Sequence, residues 1–242
     1  MKERPILFNA EMVRALLDGR KTQTRRTVKP RVEELIRCHA GDPGEECEVS
    51  FLHNTWQDDD RKEHGPEWLC YAEDCPEEGV IPIGQCPYGQ PGDRLWVRET
   101  WQGPLLEEGG DYPDGYHSPE CCEYAADGGP APEFVTPDDE VVQRWRPSIH
   151  MPRWASRITL EIVSVRVERL QEISEEDAKA EGIRRQQTTG WFSVPGVDGA
   201  GTSARAAFAL LWQSINGPDS WDANPWVWVV EFKRVDEARS AA

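Results

Sequence analysis

The sequence has 242 residues, which is enough for one large domain or two small ones. No apolar stretch reaches the roughly 18 residues of a transmembrane helix, so the sequence excludes a protein with helical membrane spans. The 27 Lys and Arg against 44 Asp and Glu give a net charge of -17, and a surface of that charge repels a nucleic-acid backbone, which excludes a sequence-independent DNA coat.

The first segment is predicted to form a strand, a helix and a second extended segment. An apolar run begins at Pro5, and Asn9 is a good N-cap for a helix that ends at Gly19. Residues 21–28 contain three Thr and one Val before Pro30, and this composition favours an extended conformation. Lys21 and Thr24 are therefore expected directly after a helix.

Residues 19–26 are the sharpest local feature of the sequence, because they place threonine hydroxyls among a lysine and three arginines. One interpretation is a solvated basic loop. The other is a site in which the arginines attract an anionic group. A lysine whose pKa is lowered by its positive neighbours would there take a proton from a threonine.

The acidic residues are concentrated in the middle of the chain. Residues 38–140 carry 4 basic and 26 acidic side chains, whereas residues 1–37 carry 10 basic and 5 acidic ones. The first part of this block is rich in Gly, Pro, Asp, Glu and Cys, and it keeps no period of 2 or 3.6. We therefore expect acidic, irregular insertions at about 38–85 and 103–140 of a single domain that spans residues 1–242.

The seven cysteines are an odd number, and the N-terminal residues lack the apolar region of a signal peptide, so we expect a reducing, cytoplasmic location. A structural zinc ion could close the first insertion. The candidate ligands are Cys38, Cys47, Cys70 and Cys75, with Cys86 or His39 as alternates. These spacings match no paired CxxC pattern, so reduced thiols in a loosely packed insertion are the competing interpretation.

The second half of the chain is more regular. Strands are predicted at 94–101, 158–167 and 225–232, although the alternation of the middle strand slips near Val163. A short helix is expected between Ser174 and Gly182, and another at about 203–215. Five or six strands with a few short helices predict an α+β fold built on a small mixed barrel or sheet.

Several of these segments resemble the ASCH superfamily of PUA-like β-barrels. The shared motifs are Gly19-Arg-Lys-Thr-x-Thr-x-Arg, Gly92-Asp93 before a strand, the Leu170-x-x-Ile173-Ser174-x-Glu-x-Ala178-x-x-Glu181-Gly182 helix and the terminal Val229-Val230-Glu231-Phe232 strand. Longer segments at 87–99, 148–157 and 221–226 look like the ASCH-type proteins of phages and prophages. The resemblance covers roughly residues 4–30, 86–101 and 145–235, and it implies a PUA-like barrel with short flanking helices.

The same resemblance implies a cleft that takes a modified nucleoside or a nucleic-acid end. Small ASCH enzymes hydrolyse the amide of N4-acetylcytidine with a lysine, a threonine and a glutamate, which fall on Lys21, Thr24 and Glu181. Lys21 would act as a base towards Thr24, whose Oγ would attack the acyl carbon. Glu181, or the lysine, would assist departure of the cytosine amine. This reaction requires no cofactor.

Eight further residues are predicted to bind the substrate. They are Arg20, Thr22, Arg25, Arg26, Glu99, Trp101, Trp154 and Arg157. The arginines would contact phosphate or base, and the tryptophans would stack on a base. Glu99 has an alternative interpretation as an exposed strand residue paired with Arg98 or Arg157.

Two other functions fit the sequence. A non-catalytic reader would grip a modified base or an RNA end in the cleft. A nucleic-acid mimic would use the acidic middle of the chain to occupy the site of a host protein. The lysine, threonine and glutamate set favours hydrolysis, and the acidity of the insertions disfavours a long polymer as the ligand.

Overall fold

The computed structural model describes residues 1–40, 49–72, 80–105, 117–135, 140–197 and 199–235. The fold is mixed α+β, as the sequence predicts. In chain order its helices and strands are β1 (Glu3–Leu7), α1 (Ala10–Leu17), β2 (Gln23–Thr27), α2 (Pro30–Ala40), β3 (Val49–Gln57), β4 (Glu63–Ala72), β5 (Val80–Gly84), β6 (Arg94–Arg98), β7 (Trp101–Gln102), β8 (Glu123–Tyr124), β9 (Glu133–Val135), β10 (Val141–Gln143), β11 (Thr159–Arg169), α3 (Glu175–Ala180), β12 (Arg184–Arg185), β13 (Phe192–Ser193), α4 (Ala204–Asn216) and β14 (Trp226–Val235).

A five-stranded mixed sheet forms the centre of the fold, in the order β1-β6-β11-β14-β2. β1 runs parallel to β6, and the other neighbours are antiparallel. The five strands predicted from the sequence all belong to this sheet. A bulge between Ile162 and Ser164 explains why the alternation of β11 slips at Val163, since a bulge inserts one extra residue into a strand.

The sheet is open in the described part of the chain, because β1 and β2 are its two edges and share no backbone pairing. The expected closed barrel is therefore not found there, although the mixed sheet is confirmed. A side chain spans the gap instead: Arg26 on β2 donates from Nη2 to the carbonyl oxygen of Leu7 on β1 at 2.8 Å. The two edges thus face each other without a backbone ladder between them.

Strand β14 is buried on both faces, which is why its sequence is a continuous aromatic and β-branched run. Trp226, Trp228 and Val230 pack into one core together with α1 and β6, as the sequence predicts for the two tryptophans. Val227 and Val229 pack on the other face into a second core with α3 and α4. The central sheet consequently separates two apolar layers.

The first insertion is more regular than expected, because β3, β4 and β5 form a three-stranded antiparallel sheet. Register shifts between Asn54 and Trp56 and between Trp68 and Leu69 break the period of two, which hides these strands in the sequence. The second insertion contains short strands, and β9 pairs with β10. Residues 41–48, 73–79, 106–116 and 136–139 of the two insertions lie outside the described residues.

The helix starts follow their predicted caps. The Asn9 side chain accepts from the Met12 amide at 2.9 Å, and the Ser174 hydroxyl accepts from the Asp177 amide at 3.0 Å. Pro30, expected only to end an extended segment, also opens α2, where its fixed φ suits the first helical position. Among the described helices, none is long and apolar enough to span a membrane.

A carboxylate on α3 holds the start of α4. Glu175 accepts from the backbone amides of Ala204 at 2.8 Å and Arg205 at 3.1 Å, which have no partners inside their own helix. Desolvation alone would raise the pKa of Glu175, but these backbone hydrogen bonds outweigh it and hold the pKa below its ordinary value. The contact therefore fixes the two helices of the second core relative to each other.

We expect Glu175→Ala to lower the free energy of unfolding by about 1 kcal/mol, as for the loss of a helix cap. Because the folded-state pKa is depressed, this contribution is present above the unfolded pKa and is lost as the pH falls through the folded one. Urea titrations at pH 7 and at pH 3 measure both effects. Glu176→Ala, on the exposed side of the same helix turn, is the control, and an equal loss in both variants at pH 7 would contradict the cap.

Candidate active site

Two helix ends bring Lys21 and Glu181 together. Lys21 follows α1, where its amide and that of Arg20 both donate to the carbonyl oxygen of Ala15, and Glu181 is the C-cap of α3. The two residues form an antiparallel bridge, and the Thr22 amide donates to Ala180 beside it at 2.8 Å. Gly182 has φ +102°, and an added Cβ would lie 2.9 Å from the Ala15 Cβ, so glycine is required for this close approach.

The two side chains form a fully buried ion pair. The Lys21 Nζ lies 2.6 Å from Oε2 of Glu181, and the side chains are 0% and 3% exposed. Nζ also donates to the carbonyl oxygens of Gln23 at 2.9 Å and of Glu181 at 3.1 Å, so all three ammonium hydrogens have acceptors. Burial lowers the pKa of Lys21; the Glu181 charge opposes this shift, and the charges of Arg26 and Arg25 reinforce it.

Thr24 follows Lys21 by three residues on β2, and its side chain is fully buried. Its Oγ1 accepts a hydrogen bond from Nη1 of Arg26 at 2.9 Å. Arg26 and the Lys21 ammonium both lie over the ring of Phe8, at 5.3 Å and 5.5 Å from its centroid. The predicted lysine, threonine and glutamate thus share one neighbourhood, in which Arg26 covers the threonine hydroxyl.

Arg25 connects Glu181 to a wider network of charges. Its buried guanidinium contacts Glu181 at 3.3 Å, Asp177 at 2.8 Å and Glu168 at 2.5 Å. Arg166 completes the network, since it contacts Asp177 and Glu168 and also Glu231. Arg25 therefore has little remaining capacity for a ligand phosphate, and its contacts fix one oxygen of Glu181 while Lys21 fixes the other.

A cavity of about 400 Å³ opens next to these groups. One side is polar and contains Arg25, Arg26 and Thr27 of β2 together with Glu181. The other side is an apolar surface of α4, formed by Phe208, Leu211, Trp212 and Ile215. The volume falls in the usual range of small-molecule sites, and Lys21 and Thr24 lie behind its lining.

Arg20 and Thr22 lie on the outer side of the bridge. The Thr22 side chain is exposed. Arg20 donates to the carbonyl oxygen of Gly182 at 2.8 Å and pairs with Asp18 at 2.9 Å. Neither residue lines the 400 Å³ cavity, so their predicted contact with a substrate there is not supported by the geometry.

The other four predicted binding residues form a separate cluster. Glu99 makes a two-pronged ion pair with Arg157, at 2.9 Å and 3.0 Å, which is the alternative that the sequence left open, although Glu99 is buried rather than exposed. Burial raises the pKa of Glu99, and Arg157 opposes that shift. Trp101 and Trp154 pack edge to face at 5.6 Å in a small core of their own. None of the four lines the cavity.

Two of the candidate zinc ligands are core residues. Cys70 and Cys86 are buried in the first apolar core, and burial raises the pKa of each thiol to about 11. The described residues contain no group of three His, Cys, Asp or Glu side chains that could hold a metal ion. Cys47 and Cys75 and the side chains of Cys38 and His39 lie outside what the structure describes.

The sequence did not reveal two parts of the site. Glu168 and Arg166 alternate with apolar residues on β11, a pattern that predicts ordinary solvent-facing strand positions. The apolar residues of α4 have the pattern of core residues. The sequence contains one local signal for this part of the site. Asp177 and Glu181 are separated by four residues, about one helical turn, which places the two carboxylates on one side of α3. Pairing of β14 with both β11 and β2 brings the rest of the site together.

Comparison with known proteins does not assign the chain to a family: no protein-family model, no curated protein and no solved structure matches it.

We expect Cys70 and Cys86 to resist alkylation in the folded protein. A pKa of about 11 leaves roughly one thiol in a thousand as thiolate at pH 8, and burial blocks access as well. Iodoacetamide labelling followed by peptide mass mapping measures this, with the half-buried Cys121 as the internal control. Labelling of Cys70 as fast as that of Cys121 before denaturation would contradict the core placement.

We expect Glu181→Gln to lower the free energy of unfolding by about 3 kcal/mol, because it leaves Lys21 and Arg25 buried without a common carboxylate. Lys21→Met is expected to cost less, since Glu181 keeps Arg25. The double variant should be more stable than the sum of the two losses predicts. Chemical denaturation of the three variants measures this coupling.

The exposed pair between Lys233 and Glu161, at 2.8 Å, is the matched control for that cycle. Its variants Lys233→Met and Glu161→Gln should each change stability by less than about 1 kcal/mol. Equal effects at the two pairs would mean that burial does not determine the strength of the Lys21 contact.

Proposed function

We propose that the protein is an amidohydrolase that removes an acyl group from N4-acylated cytidine or a related modified nucleoside. The observation that carries this proposal is the direct contact of Lys21 with Glu181, at 2.6 Å, where Glu181 lines a nucleoside-sized cavity and Thr24 contacts Arg26 of the same lining. The PUA-like ASCH assignment of the fold belongs to the same proposal. It is supported by the mixed sheet and by the convergence of three motif residues that are far apart in the sequence.

The buried pair can supply a base. A proton that moves from Lys21 Nζ to Glu181 Oε2 across the 2.6 Å contact leaves a neutral amine and a neutral acid. Burial lowers the pKa of the Lys21 ammonium and so favours its neutral form, while the Glu181 charge opposes this shift. Thr24 Oγ1 is hydrogen-bonded to Arg26 in the described structure, so the amine must turn towards the Thr24 hydroxyl when substrate enters before its lone pair can accept that proton.

Arg26 prepares the nucleophile. Its guanidinium donates to Thr24 Oγ1 at 2.9 Å, and this positive charge stabilises the alkoxide that forms when the proton leaves. Arg26 also stands between Thr24 and the cavity, which it lines. We therefore expect Arg26 to shift far enough to admit the acyl carbon while its charge stays close to Thr24 Oγ1.

The reaction proceeds through an ester of Thr24. Oγ bonds to the acyl carbon, the hydroxyl proton passes to Lys21, and the bond between the acyl carbon and the exocyclic nitrogen breaks. That nitrogen takes a proton from the Lys21 and Glu181 pair and leaves as the amine of cytidine. Water then hydrolyses the ester, which releases the carboxylic acid and restores the hydroxyl. The sum is one amide and one water converted to one amine and one acid.

The ion pairs of the arginines disfavour the alternative function, a non-catalytic protein that binds a modified base or an RNA end. Arg25 faces three carboxylates, Arg157 is paired with Glu99 and with Asp127 at 2.8 Å, and Arg20 is paired with Asp18. A ligand phosphate would have to displace these partners. The nucleic-acid mimic stays a prediction, because much of the acidic middle lies outside the described residues.

We expect the protein to release cytidine from N4-acetylcytidine, measured by chromatography of the products. Thr24→Val removes the hydroxyl at nearly constant volume and should lower kcat/KM at least about 100-fold, whereas Thr24→Ser should keep most of the activity. Lys21→Met should lower kcat to a similar extent.

The control is Lys233→Met, an exposed cation on β14 that should leave kcat/KM unchanged. Circular dichroism of each variant separates loss of chemistry from loss of fold. Absence of turnover with acetyl, benzoyl and longer N4-acyl cytidines would overturn the function, and full activity of Thr24→Val would overturn only the mechanism.

A further inference from the structure

A second concave surface lies on the outer side of the bridge between Lys21 and Glu181. Arg20 and Ala180 precede the two bridged residues, and neither lines the 400 Å³ cavity. These two residues, together with Lys179, Ile183, Arg185 and Phe192, line an open groove of about 600 Å³. We call this surface the outer groove.

The outer groove is positively charged in a chain whose net charge is -17. Its lining contains three cations and no carboxylate. Arg20 is paired with Asp18, but within the described ranges Lys179 and Arg185 have no carboxylate within 4.0 Å. The Arg185 Nε donates to the carbonyl oxygen of Gly190 at 2.9 Å, which orients the guanidinium and leaves both Nη groups for a ligand.

The floor of the groove is apolar and aromatic. Arg185 is paired directly with Phe192 across β12 and β13, so their side chains lie on the same face of this hairpin. Phe192 is half-buried, and Ile183 is buried beside it. An aromatic ring next to two free cations is the arrangement that binds a base by stacking and its phosphate by charge.

We propose that the outer groove is a binding site for nucleotide phosphate groups, with the attached base against Phe192. Lys179 and Arg185 supply the phosphate contacts, and the planar guanidinium of Arg185 suits the two oxygens of a phosphate. The outer groove and the 400 Å³ cavity share no lining residue. Binding at the groove therefore does not require the hydrolysis proposed above.

The acidity of the whole chain does not prevent this binding. At 0.1 M ionic strength charges are screened over about 10 Å, so a ligand in the groove responds mainly to the groove's own cations. The attraction falls with salt, and each contacted phosphate of a single strand contributes about 0.7 to the slope of log affinity against log salt. Two phosphate contacts therefore predict a slope near -1.4.

Fluorescence anisotropy with a labelled ten-nucleotide oligouridylate tests the proposal. We expect salt-dependent binding that weakens at least 10-fold in the double variant Lys179→Glu with Arg185→Glu, together with loss of the salt slope. The matched control is Arg61→Glu with Lys62→Glu, which makes the same change of charge at the exposed turn between β3 and β4. Phe192→Leu should weaken binding while keeping the slope.

Competition identifies the source of the phosphate. Uridine 5′-monophosphate should compete, and inorganic phosphate should compete at least 10-fold less well, because it lacks the base. Absence of binding, equal weakening in the groove and control variants, or equal competition by inorganic phosphate would overturn the proposal. Turnover of N4-acetylcytidine is unaffected by any of these results, so the two proposals fail separately.

Discussion

The burial of Lys21 against Glu181 is the constraint on which the other polar groups of the site depend. Two charges removed from water are costly unless every lone pair and proton is compensated. Two backbone carbonyl oxygens accept the remaining ammonium hydrogens of Lys21, and Arg25 contacts the second carboxylate oxygen of Glu181. Arg25 in turn requires the acidic partners that Arg166 helps to neutralise. The charges therefore form one chain of mutual compensation that ties β2 to β11 and α3.

This chain of charges lies at the boundary between two apolar layers, and that position creates the cavity. β14 fills both layers with its own side chains, so the sheet has no free face at its centre. At the edge strand β2 the polar side chains replace the apolar ones, and α4 cannot pack closely against them. The space left between Arg25, Arg26 and the apolar surface of α4 is the 400 Å³ cavity. The site is thus a consequence of placing buried charges at a sheet edge.

The sequence predicts the elements that have local signals. Asn9 and Ser174 cap their helices as expected. Four strands of the central sheet are visible as apolar runs, and β2 is visible as a threonine-rich segment before Pro30. It fails where the signal is broken or distant. Bulges hide β3 and β4, and an open edge replaces the expected barrel closure because no local pattern determines whether two edges pair. The contact of Lys21 with Glu181 was expected from motif resemblance. Glu168 instead meets Arg25 across 143 sequence positions, Arg166 meets Glu231 across 65, and the α4 side of the cavity depends on tertiary packing.

The cations of the predicted and proposed binding sites fall into two groups: those paired with carboxylates and those without a carboxylate nearby. This difference distinguishes structural from ligand-binding cations better than their position in the sequence does. Arg25 and Arg157 were attractive as ligand contacts because they lie in or near motif segments, yet each is compensated by carboxylates in the folded chain. Lys179 and Arg185 were not predicted as ligand contacts, and they are solvent-exposed without a carboxylate within 4.0 Å in the described structure. A cation that is paired with a carboxylate stabilises the fold, and this contribution is lost if a ligand displaces the carboxylate. An exposed cation without a carboxylate partner loses only its hydration when it binds a ligand. Ligand binding there therefore breaks no ion pair that stabilises the fold.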